Sequence, residues 1–373
     1  MRIAFLVTHL LGTGHLARTA QIADAFTAAG HEALVISGGM PAPLAAPKMS
    51  ILQQVEPIRS DIAFSALLDG SGKIAGDTLL AGRIDAITTG IHTFAPDVLV
   101  TELFPFGRRK LAPEFEAAIA AARGAMIFSS IRDILQAPRK AGRKAEAEAR
   151  LARQYHGILF HGDTALVDLD ESWSLPTDLR SLVKETGYIA DCKNQNDDGV
   201  DGQGDILVAA GGGSVGDALF RISVEAARLM PGFRWRLLVG GADHEARIAA
   251  LGALPPNTLA ERVRPDFRAL LTRCRMAVLQ CGYNTAMDVA VTGARAVFCP
   301  FEGIGETEQL HRARAMADRY RCGLIREGDL TAQSLATAVD TASQTIRPDY
   351  SALRLDGASR SVRIVETALK AAP

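Results

Sequence analysis

A histidine and a glutamate in the first third of the chain, His15 and Glu102, are the side chains best suited to accept a proton. His15 follows the glycine loop Gly12-Thr13-Gly14, and a neutral imidazole that titrates near physiological pH can take a proton from a hydroxyl or from water. Glu102 ends the apolar stretch VLVT, at the kind of strand end where open α/β sheets bind ligands. We take His15 as the first candidate for a general base and Glu102 as the second. The alternative is that His15 has a purely structural role.

A second candidate site lies in the stretch Met276 to Ala315. It reads as an apolar strand, Met276 to Leu279, then a turn at Cys281-Gly282-Tyr283-Asn284 and a helix from about Thr285. A strand that breaks at glycine and leads into a helix points unpaired backbone N–H groups at its ligand, which is usually an anion. A second strand and a loop rich in glutamate follow. The stretch therefore predicts an anion pocket with acidic and amide groups beside it.

Two glycine loops match the spacing of dinucleotide-binding loops, Gly12-x-Gly14-x-x-Ala17 and Gly211-x-Gly213-x-x-Gly216. A nicotinamide site also needs an acidic residue at the end of the next strand to bind the ribose. The first loop has none there, and after the second loop Asp243 comes late. Neither loop ends in the Lys-Ser/Thr pair of a P-loop. Both nicotinamide chemistry and P-loop ATP hydrolysis are therefore disfavoured.

The elements that would hold these residues form two similar halves. Each half begins with a buried strand, a glycine loop and a helix, as in the βαβ units of parallel sheets. Helical patches are expected at Ile62 to Leu68 and Leu79 to Phe94, and the charged helix Arg139 to Arg153 is read as a solvated face. The polar segment between residues 193 and 204 cannot pack and lies near the domain boundary. We predict an α/β fold of two Rossmann-like domains that face each other across a cleft.

The composition restricts the class of protein. The 41 basic and 42 acidic residues nearly cancel, so no overall field attracts nucleic acid. No apolar run reaches the roughly 18 residues of a spanning helix, and the short apolar N-terminus does not resemble a signal peptide. The five cysteines show no CxxC spacing and are read as free thiols. These features favour a cytoplasmic protein.

Several of these motifs resemble the family 28 glycosyltransferases, whose best-known member makes lipid II. The resemblance rests on the turn Gly282 to Thr285, Asp288, Gly293, Pro300-Phe301 and the segment from Glu308 to Ala313. The N-terminal GTGHLAR is similar to that family's glycine loop. It is equally similar to the GxGHxxR opening of the UDP-sugar hydrolase of pseudaminic acid synthesis. The stretch PDVLVTELFPFGRR also resembles an uncharacterised group of predicted bacterial glycosyltransferases.

The resemblance implies a role for each matching residue. The residues implied to bind the donor diphosphate are Gly212, Gly213, Ser214, Gly282, Tyr283, Asn284 and Thr285. Asp288 would bind the ribose, and Glu308 and Gln309 would bind the donor sugar. The residues expected on the acceptor side are Gly14, Arg18, Phe104 and Arg108. Asp168-Leu169-Asp170, the one Asp-x-Asp motif, is read as surface rather than as a metal site.

The implied function is a metal-independent, inverting glycosyltransferase of the GT-B architecture. Residues 1–188, with a tail helix at 350–373 that crosses back, would form the acceptor domain, and residues 189–349 the donor domain. A nucleotide-diphosphate sugar, expected to be UDP-linked, would be the co-substrate, with no cofactor or metal. The acceptor is left open between a small molecule and a lipid-linked one with peripheral membrane contact. The alternatives are a nucleotide-sugar hydrolase, in which His15 activates water, and a non-catalytic binding protein.

Overall fold

The computed structural model describes residues 1–61, 66–136, 138, 142–191, 199–211, 216–241, 243–303 and 306–371. The chain divides into two compact units. Unit 1 comprises Met1–Ala190 and Arg354–Pro373, and unit 2 comprises Asp191–Leu353. The sequence predicts the corresponding boundaries at residues 188 and 349.

Unit 1 is built on a seven-stranded parallel sheet with helices on both faces. Its strands are β1 (Arg2–Val7), β2 (Glu32–Ser37), β3 (Ile51–Gln54), β4 (Ile58–Ser60), β5 (Leu67–Asp69), β6 (Val98–Glu102), β7 (Met126–Arg132), β8 (Gly157–His161) and β9 (Val183–Glu185). Its helices up to the unit boundary are α1 (Gly14–Ala28), α2 (Asp77–Phe94), α3 (Ala112–Ala121), α4 (Arg143–Gln154) and α5 (Thr177–Arg180). The strand order is β3-β2-β1-β6-β7-β8-β9, and β4 and β5 form a separate antiparallel hairpin.

The central strand β1 is apolar on both faces because helices cover both sides of the sheet. Side chains alternate across a strand, so Phe5 and Val7 pack in the core that contains Phe26 of α1. Leu6 faces the opposite core, with Phe115 of α3. The continuous apolar run of the sequence is therefore explained by a strand buried on both faces.

Unit 2 repeats this plan with six parallel strands in the order β12-β11-β10-β13-β14-β15. The strands are β10 (Ile206–Ala209), β11 (Trp235–Val239), β12 (Thr258–Arg262), β13 (Met276–Leu279), β14 (Ala296–Phe298) and β15 (Gly323–Leu324). The helices are α6 (Asp217–Leu229), α7 (His244–Ala249), α8 (Phe267–Arg273), α9 (Tyr283–Thr292), α10 (Glu308–Tyr320) and α11 (Ala332–Ser343).

The last helix, α12 (Gly357–Ala371), belongs to unit 1. Its buried face packs in the same core as α1, and His31 Nε2 lies 2.8 Å from Glu366 Oε1. The predicted start of this helix at Tyr350 is wrong. The ring of Tyr350 packs 4.5 Å from that of Tyr320, so Tyr350 stays in unit 2 and the helix begins only after the chain has returned to unit 1.

The prediction of a helix at Ile62 to Leu68 is also wrong for the part of this segment that the structure describes. Residues 62–65 lie outside the described residues, and Leu67–Asp69 is strand β5. The Asp69 carboxylate accepts hydrogen bonds from the backbone N–H groups of Ser71 and Lys73, which forms a tight turn after the strand. Local hydrogen bonding of this kind competes with helix formation.

Candidate active site

Both sheets have a point at which the strand order reverses, and open parallel sheets bind ligands at such points. In unit 1 the chain runs outward from β1 through β2 and β3 and then returns to β6 on the other side of β1. In unit 2 the same change occurs between β10 and β13. The segments that follow these paired strands diverge, which leaves room for a ligand at the carboxyl edge of each sheet.

His15 and Glu102 meet at the switch point of unit 1. His15 is the second residue of α1, and Glu102 is the last residue of β6. His15 Nδ1 lies 2.8 Å from Glu102 Oε1, and Arg18, one turn along α1, donates to the same oxygen. Arg18 and Glu102 are each 2% exposed, whereas His15 is 13% exposed. The carboxylate is therefore enclosed, and the imidazole retains some exposed surface.

The charge on Glu102 determines which nitrogen of His15 carries the proton. Burial alone would raise the pKa of Glu102, but Arg18, His15 and Ser130 lower it well below its usual range. An ionised carboxylate can only accept hydrogen bonds. Arg18 Nη2 also lies 3.2 Å from His15 Nδ1, but it donates to Glu102 Oε1. We therefore assign the proton of the shorter contact, between His15 and Glu102, to His15 Nδ1. The lone pair is then on Nε2, which is the nitrogen that could accept a proton from a substrate.

His15 is neutral at physiological pH in this environment. Burial, followed by the positive charge of Arg108, lowers the pKa of His15 to about 3, although Glu102 acts in the opposite direction. Glu102 is ionised but is already bound by its neighbours, so it is a weaker candidate for the base than the sequence suggests. Its geometry is that of a carboxylate that orients a histidine.

Arg108 places a further positive charge beside this pair. It adopts a left-handed backbone conformation with φ 59° and is half-buried. Burial lowers the pKa of Arg108 to about 10; Glu102 raises it, and Arg132 and Arg18 lower it. Its Nε is buried and has no hydrogen-bond partner among the described residues. This guanidinium therefore carries a donor that no described residue satisfies.

Two further residues expected on the acceptor side are Gly14 and Phe104. Gly14 is the first residue of α1. Phe104 is 1% exposed, and its ring stacks on Phe115 with the centroids 4.8 Å apart. The Phe104 carbonyl accepts hydrogen bonds from the hydroxyls of Thr101 and Ser129. The Phe104 side chain therefore supports the loop after β6 from inside the core and is not available to an acceptor.

Three buried residues that the sequence did not single out extend the site beyond Glu102. They are Ser130 in β7, His161 at the end of β8 and Thr186 just after β9. The Ser130 hydroxyl donates to Glu102 Oε2 at 2.5 Å. In the sequence, Ser130 and His161 follow apolar runs, which is the signal that identified Glu102, whereas Thr186 follows the Val-Lys-Glu strand β9. The order of the strands in the sheet brings them side by side.

The glycine loop of unit 2 follows β10 at the second switch point. Gly211 has φ 72°, a conformation that glycine adopts at little cost. At the other end of the loop, a Cβ on Gly216 would collide with that of Ala210, so only glycine fits there. Three of the residues implied to bind the diphosphate, Gly212, Gly213 and Ser214, lie outside the described residues.

The first turn of α9 forms the other side of this switch point. The helix begins at Tyr283, directly after Gly282, and its first turn contains Asn284 and Thr285 but no acidic residue. Arg312, from α10, donates to the Cys281 carbonyl at 2.8 Å and lies over the Tyr283 ring. These contacts of Arg312 hold the start of α9 in place. The N–H groups and the dipole at this helix N-terminus favour an anion.

Glu308 and Gln309 already have partners inside unit 2. Glu308 is 5% exposed, and its Oε1 accepts a hydrogen bond from Arg312 at 2.7 Å. Gln309 Oε1 accepts a hydrogen bond from the backbone N–H of Phe301 at 3.2 Å. Glu308 thus neutralises the arginine that supports the start of α9. The oxygen of Gln309 is engaged, which leaves its NH₂ group to donate.

Asp288 lies within α9 and forms an ion pair with α8. Its Oδ1 lies 2.5 Å from Arg268 Nε, and Arg268 also donates to the backbone carbonyl of Asp191. Burial raises the pKa of Asp288, although Arg268 acts in the opposite direction. A ribose hydroxyl at Asp288 would therefore have to share the carboxylate with Arg268.

Solved structures with the same arrangement of elements identify the fold. Over 100% of both chains, the protein resembles CalG4, the calicheamicin glycosyltransferase, with a TM-score of 0.66 and 15% identity. It also resembles the glycosyltransferase VinC in complex with dTDP (TM-score 0.64, 14% identity, 100% of both chains). MurG of Acinetobacter baumannii gives a TM-score of 0.58 at 14% identity over 99% of both chains. The chain has the GT-B glycosyltransferase fold. At 14–15% identity, the likeness to these GT-B structures shows the fold and not the function.

Parts of this GT-B chain also match curated proteins in sequence. They are enzymes named UDP-N-acetylglucosamine--N-acetylmuramyl-(pentapeptide) pyrophosphoryl-undecaprenol N-acetylglucosamine transferase. The match to that of Paracidovorax citrulli (strain AAC00-1) is 30% identical over 137 residues, 35% of this chain and 38% of the relative. The match to that of Maricaulis maris (strain MCS10) is 26% identical over 165 residues, 43% and 44% of the two chains. The chain thus spans less than half the length of these relatives, and no family model matches. The resemblance to the family 28 glycosyltransferases is confirmed.

Within the described parts of the GT-B chain, no helix is both long and apolar enough to cross a membrane. The same residues contain no group of three or more His, Cys, Asp or Glu side chains arranged to hold a metal ion. Asp168 and Asp170 of the Asp-x-Asp motif form ion pairs with Arg180. The described cysteines, Cys274, Cys281, Cys299 and Cys322, are buried free thiols.

Proposed function

We propose that the protein is a glycosyltransferase in which His15 removes the proton from an acceptor hydroxyl. The observation that carries this proposal is the contact of 2.8 Å between His15 Nδ1 and Glu102 Oε1 at the switch point of unit 1. It leaves Nε2 with a lone pair. Histidine is the residue most often used as a general base, and Glu102 raises the pKa of His15 against the effect of burial.

In the proposed reaction, the hydroxyl proton moves to His15 Nε2 as the acceptor oxygen attacks the anomeric carbon. A bond forms between these two atoms, and the bond from the anomeric carbon to the diphosphate oxygen breaks, with inversion. Glu102 stabilises the imidazolium that forms. The leaving diphosphate carries the negative charge, which the N–H groups at the start of α9 would stabilise. No step of this scheme uses a metal ion.

For the donor, we propose that UDP lies at the switch point of unit 2, with its diphosphate at Asn284 and Thr285. The helix N-terminus there carries no acidic side chain that would repel an anion. Gln309, whose oxygen is bound by Phe301, would donate its NH₂ group to a sugar hydroxyl. We assign Glu308 to the support of Arg312 rather than to the sugar, because its carboxylate is buried in that ion pair.

For the acceptor, we propose a molecule with an anionic group close to the reacting hydroxyl. Arg18 is committed to Glu102, so it no longer serves as the anion-binding group that the sequence suggests. Arg108 retains a buried Nε without a protein partner in the described part of the chain, and its charge is opposed by those of Arg18 and Arg132. An anionic acceptor would relieve that repulsion. A phosphate-bearing and a carboxylate-bearing acceptor fit equally.

The proposal is tested by incubating the purified protein with UDP-N-acetylglucosamine and UDP-glucose and measuring the release of UDP. Reactions are run alone and with a panel of phosphorylated, carboxylated and neutral alcohols. We expect slow release alone and faster release with an anionic alcohol. Rapid release that no alcohol changes would instead support the hydrolase. If no nucleotide sugar is consumed or bound, both readings fail.

The donor position is tested by two substitutions in α9. We expect Asn284→Ala and Asp288→Ala each to weaken UDP binding, by about 1 kcal/mol or more for a lost hydrogen bond, as measured by calorimetry. Asp318→Ala is the matched control, because Asp318 is an exposed aspartate on α10 of the same unit. UDP affinity that is unchanged in both α9 variants would show that the donor lies elsewhere.

A further inference from the structure

A buried row of hydrogen bonds joins four neighbouring strand ends of unit 1. It runs from Glu102 through Ser130 and His161 to Thr186, and none of these side chains is more than 2% exposed. Ser130 lies opposite Glu102 in the register of β6 and β7. Ser130 Oγ is 3.0 Å from His161 Nε2, and His161 Nδ1 is 2.9 Å from Thr186 Oγ1. The row therefore connects Glu102, the partner of His15, to the edge of the sheet at β9.

The hydrogens of Ser130 and His161 can be assigned from the Glu102 end of this row. Glu102 is ionised and only accepts, so the single O–H of Ser130 donates to Glu102 Oε2, 2.5 Å away. Ser130 Oγ must then accept the hydrogen bond from His161, which puts the proton of His161 on Nε2. His161 Nδ1 is then left with a lone pair, 2.9 Å from Thr186 Oγ1. The Thr186 hydroxyl also donates to the backbone carbonyls of Gly187 at 2.7 Å and Phe160 at 3.1 Å. The donors of His161 and Ser130 therefore both point towards Glu102.

His161 can hold this arrangement because it is neutral. Burial lowers the pKa of His161 to about 3; Arg18 lowers it too, and Glu102 raises it. A neutral ring with one donor and one acceptor fixes a single tautomer. With Nδ1 unprotonated, the one proton of the ring lies on Nε2 and is donated to Ser130.

The row divides the two oxygens of Glu102 between two sets of partners. Oε1 accepts from His15 and Arg18, and Oε2 accepts from Ser130. A serine hydroxyl rotates freely unless its lone pair is engaged, and here His161 engages it. Without His161, Ser130 could turn its O–H to another acceptor, and Glu102 would be free to rotate against His15.

We propose that Ser130 and His161 are positioning residues for His15. They fix the orientation and the ionised state of Glu102, and Glu102 in turn holds His15 with its proton on Nδ1 and its lone pair on Nε2. This inference rests on the proposed role of His15 as the base. It adds that the tautomer of His15 is fixed by residues of β7 and β8, which lie beyond β6 in the sheet. Neither Ser130 nor His161 exchanges a proton with the substrate in this scheme.

The first test reads the tautomers directly and needs no substrate. Nitrogen-15 NMR of the full chain with labelled histidine distinguishes Nδ1–H from Nε2–H rings, and single substitutions assign the signals of His15 and His161. We expect His15 as the Nδ1–H tautomer and His161 as the Nε2–H tautomer, both neutral from about pH 5 to 8. In His161→Leu and in Ser130→Ala, the His15 signal should change to a mixture of tautomers.

The matched variant is His161→Gln, whose amide offers an N–H donor and an acceptor oxygen at similar reach. It should keep the His15 signal of the unaltered protein, whereas His161→Leu, of similar size, should not. If His161→Leu and Ser130→Ala both fold and leave the His15 tautomer unchanged, the positioning role is wrong. The same conclusion follows if Gln and Leu at position 161 have equal effects.

The second test measures release of UDP from UDP-N-acetylglucosamine. We expect His161→Leu to lower kcat about tenfold with the KM for the nucleotide sugar unchanged, as is typical when an orienting partner is lost. His161→Gln should recover most of the rate. If the tautomer of His15 responds as expected but His15→Ala does not slow the reaction, the row exists and the proposed function is wrong. If His15→Ala abolishes the reaction and the tautomer does not respond, the function stands and the positioning role is wrong.

Discussion

Replacing His15 with alanine is expected to lower the turnover of a nucleotide sugar by about 10² to 10⁴-fold, the contribution of a positioned general base. The reason is that Nε2 of His15 carries the lone pair that would accept the acceptor proton, while Nδ1 is bound to Glu102. UDP binding should be unchanged, because α9 and the glycine loop of unit 2 are untouched. The measurements are UDP release for kcat and calorimetry for binding.

His92→Ala is the control for this substitution, because His92 is exposed on α2 of the same unit. It should retain full turnover. A His15→Ala protein that turns over as fast as His92→Ala and binds UDP normally would contradict the assignment of His15 as the base. It would favour a non-catalytic binding protein or a base in another part of the chain.

The pH dependence of the rate follows from the direction of the pKa shift. The pKa of His15 is lowered to about 3, so a fall in pH from about 8 to 5 does not protonate it, and kcat should not decline on that side through this group. Arg108 is one cause of the lowered pKa. Arg108→Gln should therefore move the acid limb of the rate profile to higher pH. An ordinary acid limb near pH 6.5 in the unaltered protein would contradict the neutral, buried site.

Replacing Glu102 with leucine is expected to have the largest effect on stability. It would leave the guanidinium of Arg18, which is 2% exposed, buried without its counter-ion, and breaking a buried ion pair in this way costs about 3 to 5 kcal/mol. It would also free the His15 ring, so turnover should fall together with stability. Urea denaturation followed by fluorescence measures the change. Trp173 lies in unit 1 and Trp235 in unit 2, so a Trp235→Phe background isolates unit 1.

The double variant Glu102→Leu/Arg18→Leu separates the two effects. With both charges removed, the free energy of unfolding of unit 1 should recover most of the loss, because apolar replacements of buried ion pairs are often neutral. Turnover should stay low, because His15 still lacks the carboxylate that orients it. Recovery of turnover with the double variant would show that Glu102 acts only by neutralising Arg18. Failure of stability to recover would show that the cost of Glu102→Leu does not come from the unpaired guanidinium.

The ends of some strands could be predicted because a buried parallel strand is a continuous apolar run. Glu102 and the turn at Gly282 were found in this way, and β6 and β13 end where the sequence predicts. The glycine loops were visible for the same reason, since each lies between an apolar strand and a periodic helix. Ser130 and His161 gave the same local signal, but nothing in the sequence indicated that their strands lie next to β6.

The partners of charged side chains could not be predicted. Glu308 and Asp288 read as sugar-binding and ribose-binding residues, yet the structure pairs them with Arg312 and Arg268. Arg18 read as a possible anion ligand, and it is bound to Glu102 instead. Pairing depends on which helix packs beside which strand, and sequence separations of 84 residues, as between Arg18 and Glu102, carry no local signal.

Three features could be derived from the amino-acid sequence: the α/β class, the two halves that each begin with strand, glycine loop and helix, and His15 as the candidate base. These follow from periodicity and from the backbone freedom of glycine, which are local properties of the chain. Only the tertiary structure decided what surrounds His15. The strand order places Glu102, Ser130 and His161 on adjacent strands. The ion pair with Arg18 keeps Glu102 charged against the effect of burial, and burial keeps His161 neutral. Because burial and charge pairing are products of packing, the protonation state of the base is a property of the fold rather than of the motif.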